Sequence, residues 1–183
     1  MINAILAVFV ALTLLVTAPT MAQQLSPKEI VWKICETQHA NSTSGDKAPA
    51  RRSKLWKLVD QHFDHEGYVK FVAGPTWKNS TPQKQQAFSA AVYKTLDDIV
   101  AVVADVFISE CTVGEAKMAD GMARIPTRFV EKGDEKPQAH QITFQLELKN
   151  GSWKVSDLLI NGSFSARAAL AEKHRKTYVA LLQ

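Results

Sequence analysis

The spacing of apolar residues changes once along this chain, at Cys111, and this change constrains the fold more than any other feature. Before it, in residues 82–106, apolar side chains recur every three or four positions, the spacing of one face of an α-helix. After it, in residues 122–160, apolar and polar residues alternate as in a half-buried β-strand. Helical segments followed by strands predict an α+β fold, with helices packed on one face of a curved antiparallel sheet.

Helix-start signals divide the first half of the chain. Ser26 precedes Pro27 and Glu29, a combination that caps a helix and begins it. Residues 41–46 are rich in Asn, Ser, Thr and Gly, which indicates a loop. The predicted helices begin after Ser26, span Arg51–Gln61, begin after Asp64, begin after Thr81 and, at the end of the chain, span Ala166–Leu182.

Two local signals describe the sheet. Asn150-Gly151 favours a two-residue hairpin turn, and the resulting register places Leu146 opposite Val155. Pro126 has no backbone N–H to donate, so we expect its strand to lie at an edge of the sheet or to be bulged.

The first 22 residues carry no charged side chain, so the net charge of +4 belongs entirely to the rest of the chain. A long apolar run followed by Pro19 and small residues is typical of a secretory signal peptide. We predict residues 1–22 to be this signal, cleaved after Ala22, which leaves 23–183 as a single exported domain. A retained membrane anchor is the alternative, although the run is a few residues shorter than a bilayer-spanning helix.

Export changes the interpretation of Cys35 and Cys111, the two cysteines of the chain. In an oxidising compartment they are a candidate disulfide. Two buried free thiols are the alternative, because the sequence does not show whether the two residues are close in space.

The sequence contains no recognisable catalytic or phosphate-binding motif. A cluster of titratable residues could bind a metal or transfer protons, but we expect a solvated helix junction there and no metal site. Asp157 falls on the apolar face of its strand. It is either a general base in a pocket, as in ketosteroid-isomerase-like folds, or a carboxylate bonded to the backbone. The cluster comprises Asp60, His62, Asp64, His65 and Glu66.

The net positive charge is only a weak indication of what the protein binds. Export, and the lack of a Lys/Arg block interleaved with aromatic residues, exclude nucleic acid as the expected partner. The tightest basic group could attract anionic lipid head groups, or it could simply be a solvated helix face. It consists of Arg51, Arg52, Lys54 and Lys57.

The long helix after Thr81 carries more apolar surface than one face requires. Beyond Ile99 it is apolar almost all round, so this end must be enclosed by protein or must face an apolar ligand. The pattern alone fits both an interaction module with a filled core and a protein with a ligand cavity.

Four short motifs follow one another along the chain. They are Phe63-Asp64; Val72-Ala73-Gly74-Pro75-Thr76-Trp77-Lys78; Thr81-Pro82-Gln83-Lys84-Gln85; and Gly151-Ser152-Trp153-Lys154, which continues to Asp157, Ile160 and Gly162. Their order and spacing resemble the toluene-tolerance (MlaC) family of periplasmic phospholipid-binding proteins, over about Lys28 to Leu182. Ser163-Phe164, Leu170 and Asp97-Asp98 depart from the family pattern.

This resemblance implies an NTF2-like cone with a deep apolar pocket between sheet and helices. It implies a monomeric periplasmic carrier without catalytic activity, whose ligand is a bound phospholipid and which needs no other cofactor. The carrier would move lipid between an inner-membrane ABC transporter complex, with its MCE-type subunit, and an outer-membrane lipoprotein complex. Such transport would maintain the lipid asymmetry of the outer membrane.

Ten residues are expected to contact the lipid under this interpretation. They are Phe71, Trp77, Phe88, Val92, Leu96, Ile99, Val103, Phe144, Leu146 and Val155. Two alternatives stay open: a carrier of another lipid, such as a hopanoid, and an NTF2-like enzyme that uses Asp157 as its base.

Overall fold

The computed structural model describes residues 24–133 and 137–183, so the predicted signal peptide lies outside the described residues. Helices fill the first half of the described chain, strands follow, and a helix ends it. This arrangement confirms the α+β class and the packing of N-terminal and C-terminal helices on an antiparallel sheet. The elements are α1 Pro27–Thr43, α2 Ala48–His62, α3 His65–Ala73, α4 Thr76–Asn79, α5 Pro82–Ala104, β1 Ile108–Val113, β2 Lys117–Ala119, β3 Met122–Glu131, β4 Gln138–Lys149, β5 Ser152–Ile160, β6 Phe164–Ser165, α6 Ala166–Tyr178 and a 3₁₀-helix Val179–Leu182.

The helix starts agree with the local sequence signals. At α1 the Ser26 hydroxyl accepts from the Glu29 backbone N–H at 3.3 Å, and the Glu29 carboxylate accepts from the Ser26 N–H at 2.7 Å. The predicted loop over 41–46 is wrong at its beginning, because α1 continues to Thr43. Asn41 is buried there and its amide donates to the Arg51 carbonyl at 3.2 Å, a contact with α2 that the local sequence does not encode.

The sheet has the strand order β1-β3-β4-β5-β6, and β2 pairs with β3 on the same side as β1. The expected edge position of the Pro126 strand is therefore wrong, since β3 lies between β1 and β4. Pro126 is accommodated because β1 and β2 leave a gap beside it: their pairing with β3 involves Thr127 and Arg124 but not Pro126. In that gap the Pro126 carbonyl accepts a hydrogen bond from the Gly114 N–H at 2.8 Å, and no backbone N–H is needed at Pro126.

The β4–β5 hairpin has the predicted register near its turn. Asn150 and Gly151 both adopt positive φ, and Leu146 pairs with Val155. The register then shifts by one residue, so that Gln145 lies opposite Asp157 and Ser156 is the extra residue of a bulge.

A small apolar cluster packs α2 against α5 through Leu55, Val100 and Ala104. Two larger apolar clusters hold the layers together. One packs α3, α5 and α6 around Phe88 and Val92, and the other packs α1 against the sheet through Ile30, Ile125 and Leu146. A disulfide between Cys35 and Cys111 joins α1 to β1, with the two Cα atoms 5.8 Å apart. Towards the end of β3 and the beginning of β4, Phe129 and Ile142 pack against the edge of the second cluster and also border an open space.

Candidate functional site

The space between the helices and this part of the sheet is a cavity of about 510 Å³. Its floor is formed by alternate residues of β3 and β4 and by the bulged part of β5, and its roof by one face each of α2 and α5. The start of α6 closes one side. The lining residues are Ile34, Gln38, Leu55, Leu58, Val59, His62, Phe63, Tyr68, Leu96, Ile99, Val100, Val103, Val106, Ile108, Phe129, Glu131, His140, Ile142, Phe144, Val155, Ser156, Asp157, Leu158, Ile160, Ala166, Arg167 and Leu170.

The cavity wall is apolar because its polar residues direct their polar atoms into the protein. The Gln38 amide donates to the Val103 and Val106 carbonyls at 2.7 and 2.6 Å, which anchors the end of α5 to α1. The Tyr68 hydroxyl is bonded to His174 at 2.9 Å. A wall of this kind favours hydrocarbon over most of its area. Two buried polar atoms of lining residues, the Gln38 Oε1 and the Arg167 Nε, have no hydrogen-bond partner among the described residues.

The mouth of the cavity lies at the end of α5. Val103, Val106 and Ile160 line the cavity and are also exposed to solvent. His140 and Glu131 stand beside them, with 3.2 Å between the imidazole Nε2 and a carboxylate oxygen. The all-round apolar end of α5 therefore faces the cavity on one side and forms part of an apolar rim on the other, where Val102 is 70% exposed.

Histidines near the cavity are kept neutral by their surroundings. Burial lowers the pKa of His62, which lines the cavity, and neighbouring Lys154 lowers it further. Burial likewise lowers the pKa of His174 behind Tyr68. His62 and His174 are therefore uncharged at neutral pH.

The geometry agrees with a comparison of sequences. Residues 28–182 match the description of the MlaC protein family. The chain belongs to the MlaC family. A comparison with curated protein sequences gave no match.

A solved structure of related shape gives a second comparison. The phospholipid-binding protein from Ralstonia solanacearum, solved in complex with a phospholipid, superposes with a TM-score of 0.60 at 20% sequence identity. The match covers 85% of this chain and 87% of that one, so the two proteins share a fold over nearly their whole lengths.

The motifs that carry the MlaC resemblance have structural roles around the cavity. Phe63 pairs with Val155 in an isolated bridge, and the Asp64 N–H donates to the Val155 carbonyl at 3.0 Å. The Asp64 carboxylate caps α3 through the Gly67 N–H and forms an ion pair with Lys149. Phe63-Asp64 therefore joins the helices to β5 at the closed side of the cavity.

Five of the ten expected lipid contacts line the cavity: Leu96, Ile99, Val103, Phe144 and Val155. The other five lie elsewhere. Phe88, Val92 and Leu146 are fully buried in the two core clusters. Trp77 packs edge-on against Phe88, with ring centroids 6.4 Å apart, and Phe71 is exposed beneath the Arg167 guanidinium. Phe88 and Val92 lie outside the lining because the first half of α5 faces α3 and α6 rather than open space.

The sequence analysis missed the contribution of α2. Leu55, Leu58, Val59 and His62 all line the cavity from this helix. They are spaced three, one and three positions apart, so they lie on one face of the helix. This helical spacing is visible in the sequence and could have indicated the contribution of α2.

Asp157 lies in the lining, yet its oxygens are occupied. One carboxylate oxygen accepts from the Leu158 and Arg167 backbone N–H groups at 2.7 and 2.9 Å, and the other accepts from the Ser165 hydroxyl at 2.6 Å. Asp157 therefore fixes the beginning of α6, which is the role of a capping residue.

The basic group on α2 is mostly neutralised by acidic neighbours. Arg51 pairs with Asp105, Arg52 with Asp97, and Lys54 with Asp46. The Arg52–Asp97 pair crosses a wide, open groove between the outer sides of α2 and α5. Three of the four basic side chains on this helix are therefore paired with an acidic neighbour.

The described residues contain neither a metal-binding cluster nor a membrane-spanning helix. Among residues 24–133 and 137–183, no group of three or more His, Cys, Asp or Glu side chains could hold a metal ion. Over the same ranges, no helix combines the length and apolarity needed to cross a bilayer.

Proposed function

We propose that this protein is a periplasmic carrier that holds the hydrocarbon part of a phospholipid in the cavity under α5. The apolar cavity is the observation that carries the proposal, because each methylene group moved from water into such a space contributes about 0.8 kcal/mol. Membership of the MlaC family and the phospholipid bound by the Ralstonia solanacearum protein support the choice of ligand.

The carrier collects and delivers lipid at two membranes. Its partners in this proposal are an inner-membrane ABC transporter complex with its MCE-type subunit and an outer-membrane lipoprotein complex, between which it moves as a monomer. The exported location rests on the signal peptide predicted at residues 1–22, and the Cys35–Cys111 disulfide suits an oxidising compartment. Transport of this kind makes and breaks no bond, so no catalytic residue is proposed.

A matched pair of variants tests the cavity. Val103 lines the mouth, whereas its neighbour Val102 points away and is not part of the lining. We expect the V103W variant to lose most of the lipid that co-purifies with the wild-type protein, because the indole blocks the mouth. V102W adds the same bulk outside and keeps its lipid.

Lipid is measured by solvent extraction and mass spectrometry of protein purified from the periplasm, expressed as moles of lipid phosphorus per mole of protein. Circular dichroism establishes that both variants are folded. Wild-type protein without bound lipid, or equal lipid content in the two variants, would contradict the proposal.

A further inference from the structure

The two halves of α5 are held in the protein by different contacts. In the first half, Phe88, Val92 and Leu96 are buried in a large apolar cluster with side chains of α3 and α6. The last turns contribute only Val100 and Ala104 to the small cluster with α2, and their other large apolar side chains line the cavity or are exposed. Segments with few buried apolar contacts open locally at a lower free energy than the core does. The end of α5 is therefore its less firmly held part.

Polar side chains complete the attachment of this end. The last carbonyl groups of a helix have no partner within the helix. Here the side-chain amide of Gln38, on α1, donates to the Val103 carbonyl at 2.7 Å and to the Val106 carbonyl at 2.6 Å. The Arg51 guanidinium, on α2, donates to the Ala104 carbonyl at 3.3 Å. Two side chains thus join the end of α5 to the neighbouring helices.

Gln38 is the one of the two that acts directly at the mouth. Its side chain lines the cavity and is only 5% exposed, whereas Arg51 is not a lining residue. Both carbonyl groups that Gln38 binds belong to residues of the mouth, Val103 and Val106. With both bonds broken, these two residues can move away from the sheet, and the mouth widens.

We propose that Gln38 is a positioning residue for lipid exchange: its two hydrogen bonds keep the mouth closed, and lipid enters and leaves while they are broken. Each bond has a modest net effect, because the freed amide and carbonyl groups bond to water instead. Loss of both bonds should raise the open fraction of the protein about tenfold. This inference rests on the proposed function and describes how the cavity exchanges its ligand.

The Q38L variant tests this role. Leucine is close to glutamine in size and keeps the wall apolar, but it cannot donate to either carbonyl group. We expect lipid release and lipid uptake to be about tenfold faster in Q38L. The amount of lipid bound at equilibrium should stay unchanged, because more frequent opening speeds both directions equally.

Ser80 provides a matched control. Its hydroxyl donates to the Leu182 carbonyl at 2.8 Å, so S80A also removes a hydrogen bond from a side chain to a backbone carbonyl. Ser80 is not a lining residue. We expect S80A, like Q38L, to unfold at a lower urea concentration than the wild type, but to exchange lipid at the wild-type rate.

Lipid exchange and local opening are measured separately. Protein loaded with phosphatidylethanolamine that carries a fluorescent head group is mixed with an excess of unlabelled phosphatidylglycerol vesicles, and fluorescence follows the release. Amide hydrogen exchange reports local opening without a membrane. In Q38L the amides of residues 102–107 should exchange faster than in the wild type, and those of residues 88–96 should not.

The outcomes separate this inference from the proposed function. Release at the wild-type rate in Q38L, equal rates in Q38L and S80A, or unchanged hydrogen exchange at residues 102–107 would overturn the role of Gln38 and leave the carrier function standing. A lower lipid content of Q38L at equilibrium would also overturn it, because Gln38 would then shape the cavity and not its opening. If the wild-type protein binds no lipid, the proposed function fails and the role of Gln38 fails with it.

Discussion

Asp157 shows how the surroundings of one side chain decide its role. A general base needs a carboxylate oxygen within reach of a substrate proton. Both Asp157 oxygens instead accept hydrogen bonds, from the Leu158 and Arg167 backbone and from the Ser165 hydroxyl. The resulting network fixes the position of α6 relative to β5, which is a structural task.

Replacing Asp157 should therefore affect stability. We expect D157A to lower the free energy of unfolding by about 2 kcal/mol, because three donors lose a charged acceptor. Urea denaturation measures the change. Asp98, an exposed carboxylate on α5, provides the control variant D98A, which should stay close to the wild type. Wild-type stability in D157A would contradict the capping role.

At the scale of elements, a buried hydrogen bond joins α6 to α3. The Tyr68 hydroxyl and the His174 Nδ1 are 2.9 Å apart, and both residues are almost fully buried. Burial raises the pKa of Tyr68, so the hydroxyl keeps its proton and can donate it. Burial lowers the pKa of His174, so the ring stays neutral and can accept. Protonation of His174 would place a charge in this buried contact, and burial opposes that charge.

Stability should consequently fall in mild acid. The folded-state pKa of His174 lies below the ordinary value of 6.5, so the unfolded chain takes up a proton first. The contribution of His174 to the free energy of unfolding is therefore complete above about pH 6.5. It decreases as the pH falls from there towards the folded-state pKa. His62 and His65, whose pKa values are also lowered by burial, add in the same direction.

Urea denaturation between pH 7.5 and pH 5.5 measures this dependence. The H174Q variant keeps an acceptor for Tyr68 but cannot be protonated, so its stability should vary less with pH than that of the wild type. His39 is exposed on α1, and H39Q should keep the wild-type dependence. Identical slopes for H174Q and the wild type would show that His174 does not contribute.

At the scale of the whole molecule, one disulfide joins the helical half of the chain to the sheet. Cys35 belongs to α1 and Cys111 to β1, 76 positions later. The intervening segment contains α2 to α5, so the bond closes a loop around the entire roof of the cavity. A constraint on so long a loop removes much of the conformational freedom of the unfolded chain.

Loss of this bond should be costly for the whole fold. In the chain-entropy model a loop of this length corresponds to roughly 4 kcal/mol of stability. We expect the double variant C35S/C111S to lose about that amount in urea denaturation. Dithiothreitol should destabilise the wild type to a similar extent and leave the double variant unchanged. If dithiothreitol left the urea denaturation of the wild type unchanged, this result would argue against the Cys35–Cys111 disulfide.

The sequence by itself determined the features that depend on neighbours along the chain. The capping box at Ser26, the cap at Thr81 and the turn at Asn150-Gly151 all form as expected, because their hydrogen bonds join residues a few positions apart. The change of apolar spacing near Cys111 likewise separated helices from strands, although the first strand, β1, already begins at Ile108. Resemblance in short motifs then indicated the family that the match over residues 28–182 confirms.

Only the tertiary structure decided what lies opposite each apolar face. Val92 and Ile99 belong to the same stripe of α5, yet Val92 is buried among side chains of α3 and α6 whereas Ile99 lines the cavity. Pro126 fits inside the sheet because β1 and β2 leave a gap beside it. The reason is common to both: packing joins residues far apart in the chain, whereas the spacing of apolar residues shows which face is buried but not what buries it.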